Sequence, residues 1–133
     1  NKHDMPVLVH DREAHADTYA LLAQYRPKGI VHCFSGSAPD AVRLAEQGMY
    51  IGFGGVLTFA NARKTVEAAA ALPLERIVLE TDCPYMAPVP FRGKRCDSGM
   101  ILHVAQKLSE IHAKPVEEIL AVTEQNARTL FGV

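Results

Sequence analysis

Short apolar runs rich in β-branched residues recur along the 133-residue chain: PVLVH (6–10), GIVHCF (29–34), MYIGFGG (49–55) and RIVLETD (76–82). They read as near-continuous rather than alternating, the pattern of strands buried on both faces. A helical stretch follows each one. EAHADTYALLAQY (13–25) places Leu21, Leu22 and Tyr25 at helical spacing. PDAVRLAEQ (39–47) has Pro39 suited to a first turn and Gly48 as a stop. ARKTVEAAAAL (62–72) starts behind Asn61, a side chain fit to cap it, and stops at Pro73. MILHVAQKLSEIHA (100–113) follows the fourth run and is trailed by a segment at 115–120 and a terminal one from Glu124 to Leu130.

Apolar strands alternating with helices predict an α/β fold, a parallel sheet covered by helices, here with the four strands in the order 1-2-3-4. Successive strand starts lie about 20 to 27 residues apart, the size of one βα unit. Eight such units make a (β/α)8 barrel of about 250 residues. Four are present, so the expectation is a single partial domain over 1–133: either an open four-stranded sheet or the second half of a barrel whose first half is absent.

Composition narrows this little. Hydrophobic residues make up 48% and charged residues 22%, ordinary globular values, without repeats or low-complexity tracts. Lys and Arg (14) nearly balance Asp and Glu (15), so no global field draws in nucleic acid or membrane, and any such affinity has to be local. No apolar stretch approaches the roughly 20 residues of a membrane span, and the polar N-terminus carries no secretory signal. The expectation is a cytoplasmic protein that does not engage a membrane. Cys33, Cys83 and Cys96 lack CxxC spacing and read as reduced thiols without a function.

The unusual residues gather where strands hand over to loops, the edge at which parallel α/β proteins place their chemistry. His10 ends the first run, His32 lies near the end of the second, Gly52, Gly54 and Gly55 close the third, and Glu80 and Asp82 end the fourth. A single histidine after a strand is commonly structural. Two histidines and a carboxylate converging from different strands suit a divalent metal. Strand alternation puts Glu80 and Asp82 on one face, so the pair reads as a ligand and a neighbour that orients it, or as two solvated acids. The glycines would admit a substrate phosphate or mark tight packing. His3, His15, His103 and His112 read as surface residues. Arg92, Lys94 and Arg95 form a cationic loop, either solvated or suited to a phosphate-bearing substrate.

HCFSG (32–36), LETDCPY (79–85) and APVPFRGKR (87–95), in this order, closely resemble the TatD-related DNases, metal-dependent hydrolases with a TIM-barrel fold. The resemblance implies that His10, His32 and Asp82 are metal ligands. It further implies that Asp82 is the general base, that Glu80 is its supporting acid, and that Mg²⁺, Mn²⁺ or Zn²⁺ is the cofactor. The substrate would be DNA, held by its phosphate backbone with help from Arg92, Lys94 and Arg95, and trimmed as by an exonuclease. The family's opening HxH pair and the Glu of its fourth strand have no counterpart here, which marks the chain as similar to the C-terminal half of the barrel. Such a half, weakly active or inactive alone, is expected to self-associate or to pair with the other half. After GKR the family continues with an Asn and a nearby Pro, whereas this chain reads Cys96-Asp97-Ser98-Gly99. Two other readings stay open: a hydrolase of small amides, lactones or phosphoesters on the same ligand set, and a non-catalytic half-barrel that serves assembly.

Overall fold

The computed structural model describes residues 3–133. Its elements alternate as the apolar rhythm predicts: β1 (Val7–His10), α1 (His15–Tyr25), β2 (Gly29–His32), α2 (Ala38–Glu46), β3 (Tyr50–Phe53), α3 (Arg63–Ala71), β4 (Ile77–Leu79), α4 (Ile101–His112) and α5 (Val116–Phe131). The four strands are parallel and lie in the order β1-β2-β3-β4, with His10 beside His32 in the register and Phe53 beside Leu79.

One face of the sheet carries the main core. Val31, Ile51 and Ile77 meet Leu44, Ala68, Ala69, Val104, Leu108 and Ile119 from the helices, all at most 1% exposed. The other face presents Ile30, Tyr50 and Val78, which pack with Leu130 and Ala127 of α5. The end of α5 thus covers the base of the face that a half-barrel would leave open. Leu8, beside Ile30 in the register, stays 64% exposed.

Three local expectations change. Asn61 does not cap α3, whose N-cap is Ala62 without a side-chain bond. The capping box belongs to α2: the Ser37 hydroxyl accepts from the Asp40 N–H, and the Asp40 carboxylate accepts from the Ser37 N–H and hydroxyl. The segments at 115–120 and 124–130 are one helix. Thr123 sits buried in the middle of α5, with its hydroxyl satisfied by the Ile119 carbonyl at 2.8 Å, so its polar β-branched side chain does not interrupt the helix. Among the described residues no helix is long and apolar enough to cross a membrane.

Candidate metal centre

The C-terminal ends of the strands carry the site, and two of them leave the sheet through left-handed backbone. Strand β2 ends at His32, and Cys33 follows at φ 46°. Strand β4 ends at Leu79, and although the Glu80 N–H still bonds the Phe53 carbonyl, Asp82 turns at φ 55°. Alternation along a strand therefore does not set where Asp82 points; the turn does. L-residues in that region cost energy and persist where the surroundings impose them.

His10 and His32 meet across the β1–β2 pair, with His10 Nδ1 2.9 Å from His32 Nε2. Their rings are tilted, with centroids 5.1 Å apart. The other nitrogen of His32, Nδ1, faces Glu80 Oε1 at 3.5 Å. Glu80 itself is held, since Oε1 accepts the Cys33 N–H at 2.6 Å. Gly52 makes room for this carboxylate: a Cβ there would lie 2.7 Å from Glu80 Oε2 and 3.2 Å from the His32 Cα. Gly55 similarly admits the Met86 carbonyl. Packing thus accounts for both glycines, while Gly52 and Gly54 also line the cleft described below.

Ligand atoms of His32, Cys33 and Asp82 all lie within 4.8 Å of one another. Asp82 is exposed, whereas the side chains of His32 and Glu80 are 22% and 20% exposed. Burial, followed by the neighbouring Glu80 and Asp82 carboxylates, pushes the Cys33 thiol up.

These groups fit a divalent cation. Two nitrogens side by side on one cation at about 2.0–2.1 Å lie roughly 2.9–3.4 Å apart, and the His10–His32 separation of 2.9 Å meets that bite. A carboxylate at the far nitrogen of a ligating histidine is the arrangement that fixes its tautomer and raises its basicity, and Glu80 stands there for His32. Imidazole with carboxylate suits zinc, manganese or iron.

The site opens into a cleft of about 780 Å³. Its walls include His10, Asp11, Arg12 and His15 from the β1–α1 turn, Cys33 and Phe34 after β2, and Asp82, Tyr85 and Met86 after β4. The structure thus brings together His10, His32, Glu80 and Asp82. Arg92, Lys94 and Arg95 are exposed and lie outside this lining, and the Arg92 guanidinium stacks on Phe59 at 4.2 Å from the ring centroid.

Residues that sequence reasoning set aside belong here. Cys33, read as inert, stands inside the ligand cluster. His15, read as a surface residue, lines the cleft, with Nδ1 2.5 Å from the Asp11 carboxylate. The i,i+4 spacing of Asp11 and His15 carried that second signal. His103 packs edge-on against Phe91, His112 bonds the Ala69 carbonyl at 3.0 Å, and His3 is exposed.

Comparison with known proteins follows the same outline. The family model of TatD related DNases matches residues 1–132. The chain is 38% identical to the uncharacterized metal-dependent hydrolase YabD of Bacillus subtilis, covering 98% of this chain and 52% of that protein. It is 41% identical to the uncharacterized metal-dependent hydrolase YcfH of Escherichia coli K12, covering 96% and 49%. The crystal structure of YJJV, a TatD homolog from E. coli K12, superposes with a TM-score of 0.91 at 36% identity, over 99% of this chain and 52% of that one. The chain spans about half the length of the curated relatives it matches, and its four parallel βα units correspond to about half of their TIM barrel.

Proposed function

The chain belongs to the TatD related DNases, and from that premise we propose that the protein is a divalent-metal-dependent hydrolase of DNA phosphodiester bonds that works from strand ends. The observation that carries the reading is the approach of His10 Nδ1 to His32 Nε2 at 2.9 Å beside the Asp82 carboxylate, at the mouth of an open cleft. Two relatives that share about four residues in ten with it are themselves named metal-dependent hydrolases.

His10, His32 and Asp82 would hold the cation, with Mg²⁺, Mn²⁺ and Zn²⁺ as the ions to try. The chemistry a divalent cation supplies there is Lewis-acid polarisation of a phosphoryl oxygen and acidification of water. Glu80 keeps the His32 ring in place and its Nε2 lone pair directed at the cation position, because its own carboxylate is tethered to the Cys33 N–H. Asp82, on an exposed turn, has a carboxylate oxygen free to take the proton of the attacking water. Cys33 contributes its backbone N–H, which holds Glu80.

The test is hydrolysis of an end-labelled oligonucleotide by the purified protein, stripped with a chelator and then given Mg²⁺, Mn²⁺ or Zn²⁺, beside a small phosphodiester and a neutral ester. Metal-restored release of nucleotides from an end, weakening steeply with salt, supports the reading. Glu80→Gln is expected to slow this release less than loss of Asp82 does, because Glu80 acts through His32. Metal-restored turnover of the neutral ester alone would contradict the DNA assignment.

A further inference from the structure

The sequence reading offered the 92–95 loop for phosphate binding, and the basic side chains that line the cleft are on the β1–α1 turn. Arg12 lies on the cleft wall and makes no hydrogen bond or ion pair with any described residue. His15, three residues on, lines the same wall and is fixed on two sides. Its Nδ1 meets Asp11 Oδ2 at 2.5 Å, and its ring stacks on Tyr19 with centroids 5.6 Å apart and planes 9° from parallel. Asp11 is itself built in: its side chain is 4% exposed, and Oδ1 accepts the Ala14 N–H at 3.2 Å. Nε2 of His15 has no partner among the described residues. The turn between them passes through Glu13 at φ 58°, a left-handed residue that folds the loop back over the cleft.

A carboxylate buried to orient one imidazole, leaving the second nitrogen free on a cleft wall, is an arrangement for contacting a ligand. Asp11 is turned to His15 and to the Ala14 N–H. The acids that remain in the lining are Glu13, on the same turn, and Asp82, at the cation position. The lining also carries Tyr85, Met86 and Val56, without a further positive charge.

We infer that Arg12 and His15 form a phosphate clamp on the β1–α1 turn, which holds the phosphate adjoining the one under attack. The inference rests on the phosphoester reading of the site and deepens it, because it names the side chains that grip the substrate. The ligand chemistry is a phosphate ester, from a nucleic-acid strand or from a small nucleotide. Arg12 gives a forked donor, and the imidazole of His15 stands beside it, held in place by Asp11. Arg92, Lys94 and Arg95 have no part in it.

The experiment measures binding without turnover. The purified protein in excess chelator is titrated at low salt against a fluorescent single-stranded oligonucleotide and, separately, against a nucleoside monophosphate. The variants are Arg12→Gln, His15→Gln and the triple change Arg92→Gln/Lys94→Gln/Arg95→Gln, with a circular dichroism melt of each to show that the fold is kept. Arg12→Gln and His15→Gln are each expected to weaken oligonucleotide binding roughly tenfold, and Arg12→Gln to lower the slope of log K against log salt by about one. The triple variant is expected to bind within about twofold of the parent. Binding of the monophosphate alone, still dependent on Arg12 and His15, supports the clamp and removes the DNA reading. Oligonucleotide binding that ignores Arg12 and His15 and falls in the triple variant overturns the clamp and leaves the DNA reading standing. Absence of binding to either ligand overturns the clamp.

Discussion

The two edge strands of the sheet are built oppositely. β4 is closed in: Ile77 and Val78 are 0% and 3% exposed, and α5 packs against the strand. The Asn126 amide donates to the Leu74 carbonyl at 2.9 Å and the Ile77 carbonyl at 2.8 Å. β1 has only β2 beside it, and Val7 and Leu8 are 36% and 64% exposed. Both edges nevertheless end in site residues, His10 on one and Glu80 with Asp82 on the other. The β4 end owes its geometry to the core beneath it. The β1 end owes its geometry to the side chains at the turn: His32 beside His10, and Asp11 with His15. Changes under β4 should therefore act on the fold, and changes on β1 should act on association and the site.

The largest expected effect is at the closed edge. Asn126→Ala removes two buried hydrogen bonds, to the Leu74 and Ile77 carbonyls, and the loss should be roughly 2–4 kcal/mol by chemical denaturation. A loss under ~0.5 kcal/mol would mean that α5 is not what secures β4.

At the open edge the same kind of substitution should leave folding alone. Leu8→Lys changes an exposed side chain and should move stability by no more than about 0.5 kcal/mol. Unpaired strand edges with exposed apolar side chains template further pairing, so the parent chain is expected to self-associate at micromolar concentration and Leu8→Lys to disperse it, as read by light scattering. A parent that scatters as a clean monomer breaks the comparison, and it would mean that the α5 cover over Ile30 and Val78 suffices.

A third change lies at neither edge. Ser37→Ala removes the capping box of α2 and should cost about 1 kcal/mol. The Ser37 hydroxyl holds the Asp40 carboxyl below the usual carboxylate range. A lowered pKa stabilises the fold at pH above the ordinary value of about 3.9, and that contribution disappears as pH falls through the lowered one. Comparing melts of parent and Ser37→Ala at pH 7 and near pH 2 should show the gap narrowing in acid. A gap that is constant or widens in acid contradicts the coupling.

Strand order and helix positions were legible because hydrophobic rhythm reports burial, and this chain buries one face of every helix against one sheet. The continuity of α5 across 121–123 was hidden in the sequence, and in the structure the Thr123 hydroxyl returns to the Ile119 carbonyl within the helix. His10, His32 and Glu80 were readable as polar residues at strand ends. Asp82 lies near His32, but a left-handed turn directs it, and the strand alternation that put it on one face with Glu80 does not. Cys33 was unreadable, because its place depends on Glu80, 47 residues away. The 92–95 loop was singled out by its charges and its place after β4, and its three basic side chains lie outside the cleft lining.

The central claim is that Asp82 exists for chemistry and not for folding. Its most direct test is the rate of oligonucleotide hydrolysis by Asp82→Asn at saturating Mn²⁺, read beside its thermal melt. Asp82 is exposed and lies outside the core, so the account predicts a melt within a few degrees of the parent and a rate lower by at least ~10²-fold, the scale of losing a general base together with a ligand. Cleavage at the parental rate, or a chain that no longer folds, would contradict it.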